Sequence, residues 1–193
     1  MWMPTNADEL HNFLRTRRSI RRFQPDPSTG SGQRPIADEV IARILETANH
    51  APSAHNLQPW RFVVPPTSVG RTRLAQALTA SLRADMTRAG ASESEIEKRV
   101  AVSLRRIADA PVIILLCRDR SAVRAETPEE QIMSIQSTAA AGTVLLLAAH
   151  AEGLGASWVC WPLYAQEATR AALDLPETWD PQAMFFVGWA AGS

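Results

Sequence analysis

Cysteine is nearly missing from this sequence. Cys117 and Cys160 are the only cysteines in 193 residues, which argues against a disulfide framework and against a cysteine zinc cluster. Lysine is scarcer still. Lys98 stands alone, so the basic charge is almost all arginine, a bias that together with abundant alanine reflects genome composition. An excess of either sign of charge is also absent: 20 basic and 20 acidic side chains cancel to a formal zero. That balance disfavours an electrostatic grip on a polyanion such as nucleic acid. No Gly-x-Gly-x-x-Gly opens a βαβ unit, and no Gly-Lys-Ser/Thr loop is present, so Rossmann and Walker-type nucleotide sites lack their motifs. A Gly-x-Ser-x-Gly nucleophile elbow and carboxylates paired at metal-ligand spacing are missing too. Met1 to Leu10 carries Asp8 and Glu9 and has neither a basic n-region nor an apolar h-region. The longest apolar stretch, Ala139 to Ala149, is too short and too rich in small residues to cross a bilayer. These absences leave a soluble, cytoplasmic chain, expected to form a single domain over residues 1–193.

What is there suits a globular core, with 46% hydrophobic and 21% charged residues. Helices are predicted over Asp8–Arg17, Asp38–His50, Arg71–Ala89, Ser92–Ala108, Glu129–Ala151 and Gln166–Leu173. Between them, Trp60–Val64, Val112–Cys117, Ala156–Trp161 and Ala183–Trp189 read as strands. Val112–Cys117 is apolar without interruption and is expected to be buried on both faces. Gln24 to Pro35, with two prolines and two glycines inside it, reads as an irregular loop decorating the surface. The second half of the helix from Glu129 is apolar on every side, which requires burial between layers or between subunits. Four strands interleaved with helices indicate a mixed α/β layer fold.

Three segments carry the candidate chemistry. Arg15, Arg17, Arg18, Arg21 and Arg22 surround Ser19, and several planar guanidinium forks near a hydroxyl suit a phosphate monoester. The alternative is a solvated basic helix end. Pro52-Ser53-Ala54-His55-Asn56-Leu57-Gln58-Pro59-Trp60 offers hydroxyl and amide groups in a stiff frame, suited to the polar edge of a heteroaromatic ring; the alternative is a structural turn. Gly153-Leu154-Gly155-Ala156-Ser157-Trp158 lets a planar ligand approach the backbone, or simply caps a helix before a buried strand. Cys160 lies in an apolar run and reads as an inert small hydrophobe.

In order and spacing, Arg17-Arg18-Ser19-Ile20-Arg21, Pro52 to Trp60, the Leu145–Ala149 run into Gly153-Leu154-Gly155, and the last strand up to Gly188 together resemble the FMN-dependent nitroreductase superfamily. Trp158, Leu173-Asp174-Leu175-Pro176 and Trp179 resemble its branch in the nitroreductase-like C-terminal half of the bifunctional coenzyme F420 ligase. The resemblance implies a three-layer α+β fold with a mixed central sheet flanked by helices, and an obligate homodimer with FMN at the subunit interface. It implies that Arg17, Ser19 and Arg21 hold the FMN phosphate and ribityl chain, with Arg18 alongside. Pro52, Ser53 and Ala54 of the second subunit would line the flavin, with Asn56 helping, and Gly155, Ala156 and Ser157 would pass their backbone beside the ring. In the F420 branch, Asp85 would match a deazaflavin contact. Members of the family usually return a basic residue to the phosphate on a C-terminal arm, whereas this sequence stops at Ser193.

The expected activity is transfer of electrons through FMN, from NADH or NADPH to a small organic acceptor. Nitroaromatics, quinones and a coenzyme F420 precursor are the candidates. No side chain here carries two electrons, so the redox chemistry belongs to the cofactor, and no nucleophile or general base is required. The competing classes are a flavin or deazaflavin binding module without turnover, and a nucleic-acid arm formed by Arg15 to Arg22.

Overall fold

The computed structural model describes residues 6–29, 32–65 and 68–191. Its elements in chain order are α1 (Ala7–Thr16), α2 (Asp38–Ala48), β1 (Trp60–Val63), α3 (Ser68–Arg88), α4 (Glu93–Ala108), β2 (Val112–Asp119), α5 (Pro128–Ala151), β3 (Gly155–Val159), α6 (Trp161–Tyr164), α7 (Gln166–Leu173) and β4 (Trp179–Gly188). Local signals explain most boundaries. The Asn6 side chain accepts from the amides of Asp8 and Glu9 to open α1. Ser92 and Glu95 form a reciprocal capping box at α4. Thr127 caps α5, whose first turn carries Pro128. Such caps satisfy amides that the helix itself leaves unpaired.

The four strands form one sheet in the order β1-β2-β4-β3, antiparallel at every pairing. Among the described residues, parallel pairing enters only through an isolated bridge between Ser19 and Ala156. Alternation along the central strands sorts side chains to two faces. Ile114 and Leu116 of β2, with Phe185 and Val187 of β4, meet Ile41 and Ile44 of α2 and Ala141, Leu145 and Ala149 of α5. Ile113, Leu115 and Cys117, with Met184 and Phe186, meet Leu74 and Leu78 of α3 and Ile107 of α4. The result is an α+β fold of three layers, helix, sheet and helix. Each fully buried large side chain among these contributes about 1.5–3 kcal/mol of transfer free energy.

Three sequence expectations need correction here. β4 begins at Trp179, not Ala183. A register irregularity beside Leu116 and Cys117 brings Pro181 opposite Cys117, so a residue without an amide is accommodated in the ladder. β3 ends at Val159, because Trp161 and Pro162 open α6. The loop from Gln24 to Pro35 does more than decorate the surface, although Gly30 and Ser31 lie outside the described residues. Its two ends clamp the end of the chain: the Gln24 side chain donates to Ala190 O, the Arg34 guanidinium lies 4.0 Å over the Trp189 ring, and Trp189 Nε1 donates to Pro35 O.

By length and composition, α5 alone among the described helices could cross a membrane. Its buried stripe, from Ser134 through Thr138, Ala141 and Leu145 to Ala149, packs against α2 and the sheet, which makes it a core helix.

Candidate functional site

The groove at the start of β3 is built by the N-terminal segment. After α1, residues 17–24 run extended along the open edge of the sheet. Ile20 N donates to Ala156 O at 2.9 Å, and further on Ala191 N donates to Arg22 O and Gln24 N to Trp189 O. Phe13 stacks on His150 with centroids 4.8 Å apart, and Thr16 Oγ1 lies 3.2 Å from His150 Nε2, so the end of α1 is fixed to the end of α5. Gly155 is required by this arrangement: a Cβ there would stand 2.7 Å from Ile20 Cβ.

Arg17, Arg18, Ile20, Leu146, His150, Gly155 and Ala156 thereby line a groove of about 290 Å³. Arg18 is turned back on the helix end, donating to the carbonyls of Arg15 and Arg17. Arg21 reaches only its neighbour's carbonyl, Ser19 O at 3.5 Å. Among the described residues, none of Arg15, Arg17, Arg18, Arg21 and Arg22 takes part in an ion pair. Guanidiniums gathered without carboxylates are free to hold an anion. Along β3 the next residue, Ser157, is fully buried, and its Oγ has no hydrogen-bond partner.

The proline-framed turn is a built structure too. Ser137 Oγ accepts from Ala54 N, and Ser53 Oγ accepts from Gln58 N, both at 3.1 Å. Trp60 Nε1 donates to Asn49 Oδ1 at 3.0 Å. Within it, Ala54–Asn56 forms one 3-10 turn, and His55, Asn56 and Gln58 all have positive φ, at 54°, 55° and 48°. Left-handed non-glycine residues cost about 1–3 kcal/mol each and cluster where a site imposes a shape. Arg124 Nη1 lies 3.1 Å from His55 Nδ1, and His55 Nε2 lies 3.4 Å from Glu130 Oε1, so His55 pins the turn to the first turn of α5.

The two constellations do not meet in one chain. The turn is anchored at Ser137 and the arginine groove at His150, 13 residues farther along α5, which is about 20 Å of helix. Arg17 and Arg18 line the groove with Gly155 and Ala156, and Ser19 bridges Ala156 through its backbone, whereas Arg21 is not among the groove's lining residues; Pro52, Ser53, Ala54 and Asn56 sit toward the other end of α5.

Asp85 lies in neither place. It is paired with Arg88 at 2.9 Å and lines a separate hollow of about 410 Å³ between α3, α4 and the far end of β3. Cys160 opens onto the same hollow, is exposed, and accepts from Trp158 Nε1, which corrects its reading as a small hydrophobe of an apolar run. Burial instead pushes the Cys117 thiol up to about 12. Arg99, Ser103 and Arg106 on α4 line this hollow and were not singled out from the sequence. Their spacing of four and three residues puts them on one helical face, a signal that was present.

The geometry has counterparts in known proteins. The Nitroreductase family model matches residues 14–189. A 5,6-dimethylbenzimidazole synthase of Rhodospirillum rubrum is 31% identical over 192 residues, covering 96% of this chain and 84% of that protein. One from Rhodobacter capsulatus is 30% identical, covering 96% and 83%. A nitroreductase-type protein of Desulfovibrio desulfuricans, crystallised in complex with FMN, matches with a TM-score of 0.69 and 27% identity, covering 100% of this chain and 89% of that one.

Proposed function

The chain belongs to the nitroreductase family, and on that premise we propose that it is an FMN-dependent oxidoreductase passing electrons from NADH or NADPH to a small organic acceptor. The observation that carries this reading is the arginine groove. Guanidiniums of the N-terminal segment stand together without carboxylate partners beside the start of β3, as a phosphate monoester requires. A groove with that charge fits the phosphate end of FMN.

FMN, when bound, supplies the reversible two-electron chemistry that no side chain here possesses. The chain's own residues bind and orient. Arg17, Ser19 and Arg21 hold the phosphate and ribityl groups, while Arg18 stiffens the end of α1 beside them. Gly155, Ala156 and Ser157 present strand backbone to the ring. Pro52, Ser53 and Ala54, with Asn56, close the site from a second copy, because in one chain they lie about 20 Å away along α5. The protein is accordingly a homodimer of single-domain chains, which we place in the cytoplasm. Planar aromatics form the acceptor class. Within it, a coenzyme F420 precursor rests on the resemblance of Trp158, Leu173 to Pro176 and Trp179, whereas the relatives named above are 5,6-dimethylbenzimidazole synthases.

The test is direct. The purified protein is expected to be yellow, with flavin absorbance that NADH or NADPH bleaches faster than it bleaches free FMN. Arg17→Ala is expected to weaken FMN retention by about 1.5–3 kcal/mol, the worth of a charge-assisted contact. A colourless protein that FMN does not reconstitute, or full flavin occupancy in Arg17→Ala, would remove the reading.

A further inference from the structure

The hollow that holds Asp85 has chemistry of its own. Its volume of about 410 Å³ falls in the range of small-molecule sites, roughly 300–1,000 Å³. Val159, Trp161 and Phe186 give it apolar walls, and Arg99, Ser103 and Arg106 form a polar stripe along α4. Ser103 is only 5% exposed, and no side-chain hydrogen bond or ion pair engages any of these three among the described residues.

The surrounding carboxylates are already engaged. Asp85 pairs with Arg88, Glu93 and Glu97 pair with Arg83, and Glu95 caps α4 through Ser92. Arg99 and Arg106, both exposed, are therefore the unpaired cations lining the hollow among the described residues, and its one aspartate is paired with Arg88. β3 ties the hollow to the arginine groove, since Gly155 at its start lines the groove and Val159 at its end lines the hollow, about 13 Å along the strand.

We propose that this hollow binds a planar aromatic molecule carrying a carboxylate or phosphate. Arg99 and Arg106 hold the anion, Ser103 adds a hydroxyl donor, and Trp161 and Phe186 cover the ring. The guanidinium fork matches either oxyanion. This assignment stands on the hollow's own residues, separately from whatever the arginine groove holds.

The experiment uses the full chain as purified, without reductant, so that nothing turns over. Calorimetric titrations compare 4-nitrobenzoate and 4-nitrophenyl phosphate with the neutral 4-nitrobenzamide. At least one anion is expected to bind about tenfold or more tightly than the amide, and the tighter of the two identifies the oxyanion. Arg99→Gln and Arg106→Gln each remove most of that preference. Arg105→Gln, which deletes a neighbouring cation outside the hollow, retains it. The bound anion also slows iodoacetamide labelling of Cys160, which lines the hollow.

Equal affinity for anions and amide, or no anion binding at millimolar concentration, overturns the proposal. So does a preference that Arg17→Ala abolishes and Arg106→Gln leaves intact. The two readings fail separately. A yellow protein that NADH or NADPH bleaches, yet without anion preference, sinks only the hollow, whereas a colourless protein that keeps the preference sinks only the flavin.

Discussion

A methyl group at position 155 would stand 2.7 Å from both Cβ and Cγ2 of Ile20, nearer than carbon atoms approach without displacement. Ile20 cannot simply retreat, because its amide is bonded to Ala156 O at 2.9 Å and that bond helps seat the arginine segment. Gly155→Ala should therefore destabilise the protein by about 1–3 kcal/mol, the usual cost of overpacking, read as a lower urea midpoint. Adding Ile20→Ala removes the Cγ contacts, though not the Cβ one, and should recover part of the loss. Strict additivity of the two changes would show that the residues do not press on each other. The cysteines offer a second check at this scale. Cys117 has no exposed surface and a thiol pushed up to about 12 by burial, so it carries almost no thiolate at pH 8. Cys160 is exposed. Brief iodoacetamide treatment at pH 8 should label Cys160 alone in the folded protein and both residues in urea, with mass spectrometry as the readout.

Among the elements, the junction of β2, β4 and α7 turns on one carboxylate. Asp180 accepts from Arg118 Nη2 at 2.7 Å and from Arg170 Nη1 at 3.4 Å, and forms an ion pair with Arg120, whose Nε lies 3.2 Å away. Arg118 is itself buried, so Asp180→Asn strands a desolvated cation and should cost about 3–5 kcal/mol. Arg120 is largely exposed, and Arg120→Ala should cost about 1 kcal/mol or less. Equal urea midpoints for the two variants would refute the hub. This junction also marks where sequence reading ran out. Helical spacing of Val40, Ile41, Ile44, Leu45 and Ala48 announced α2, and the unbroken apolar run announced β2, because both patterns record burial directly. The first half of β4 was hidden by Asp180 and Pro181, which look like loop until the register irregularity and the guanidiniums are seen. The positive φ values at His55, Asn56 and Gln58 are only faintly marked by residue type: Asn and His enter this region more readily than most residues, but Gln58 gives no such signal. Arg99 and Arg106 did not stand out within the helix expected over Ser92–Ala108, because periodicity does not say which apolar wall lies opposite. The arginine cluster and the proline-framed turn were both legible, as each is contiguous in sequence. Their separation along α5 was not.

That separation sets the expectation for the whole molecule. If one FMN needs both constellations, a single chain cannot complete the site, and a second copy must bring its turn to the first copy's arginines. The surface supports such pairing: Ile132 and Ile135 on α5 and Leu10 and Leu14 on α1 remain 42–55% exposed, a large apolar presentation for a free subunit. Sedimentation should accordingly report twice the 21.2 kDa chain mass, and Ile135→Glu should yield monomers that lose flavin at the same time. Subunit mixing gives the sharper result. Arg17→Ala cripples one constellation and Ala54→Trp obstructs the other, so neither variant alone should retain flavin. In a mixed dimer, one site receives both defects and the other receives neither. With random pairing of equal amounts, half the dimers are mixed, and roughly one site in four should regain FMN. Were both constellations to serve the same site from the same chain, every site in the mixture would carry a defect, and flavin absorbance would stay at the level of the separate variants.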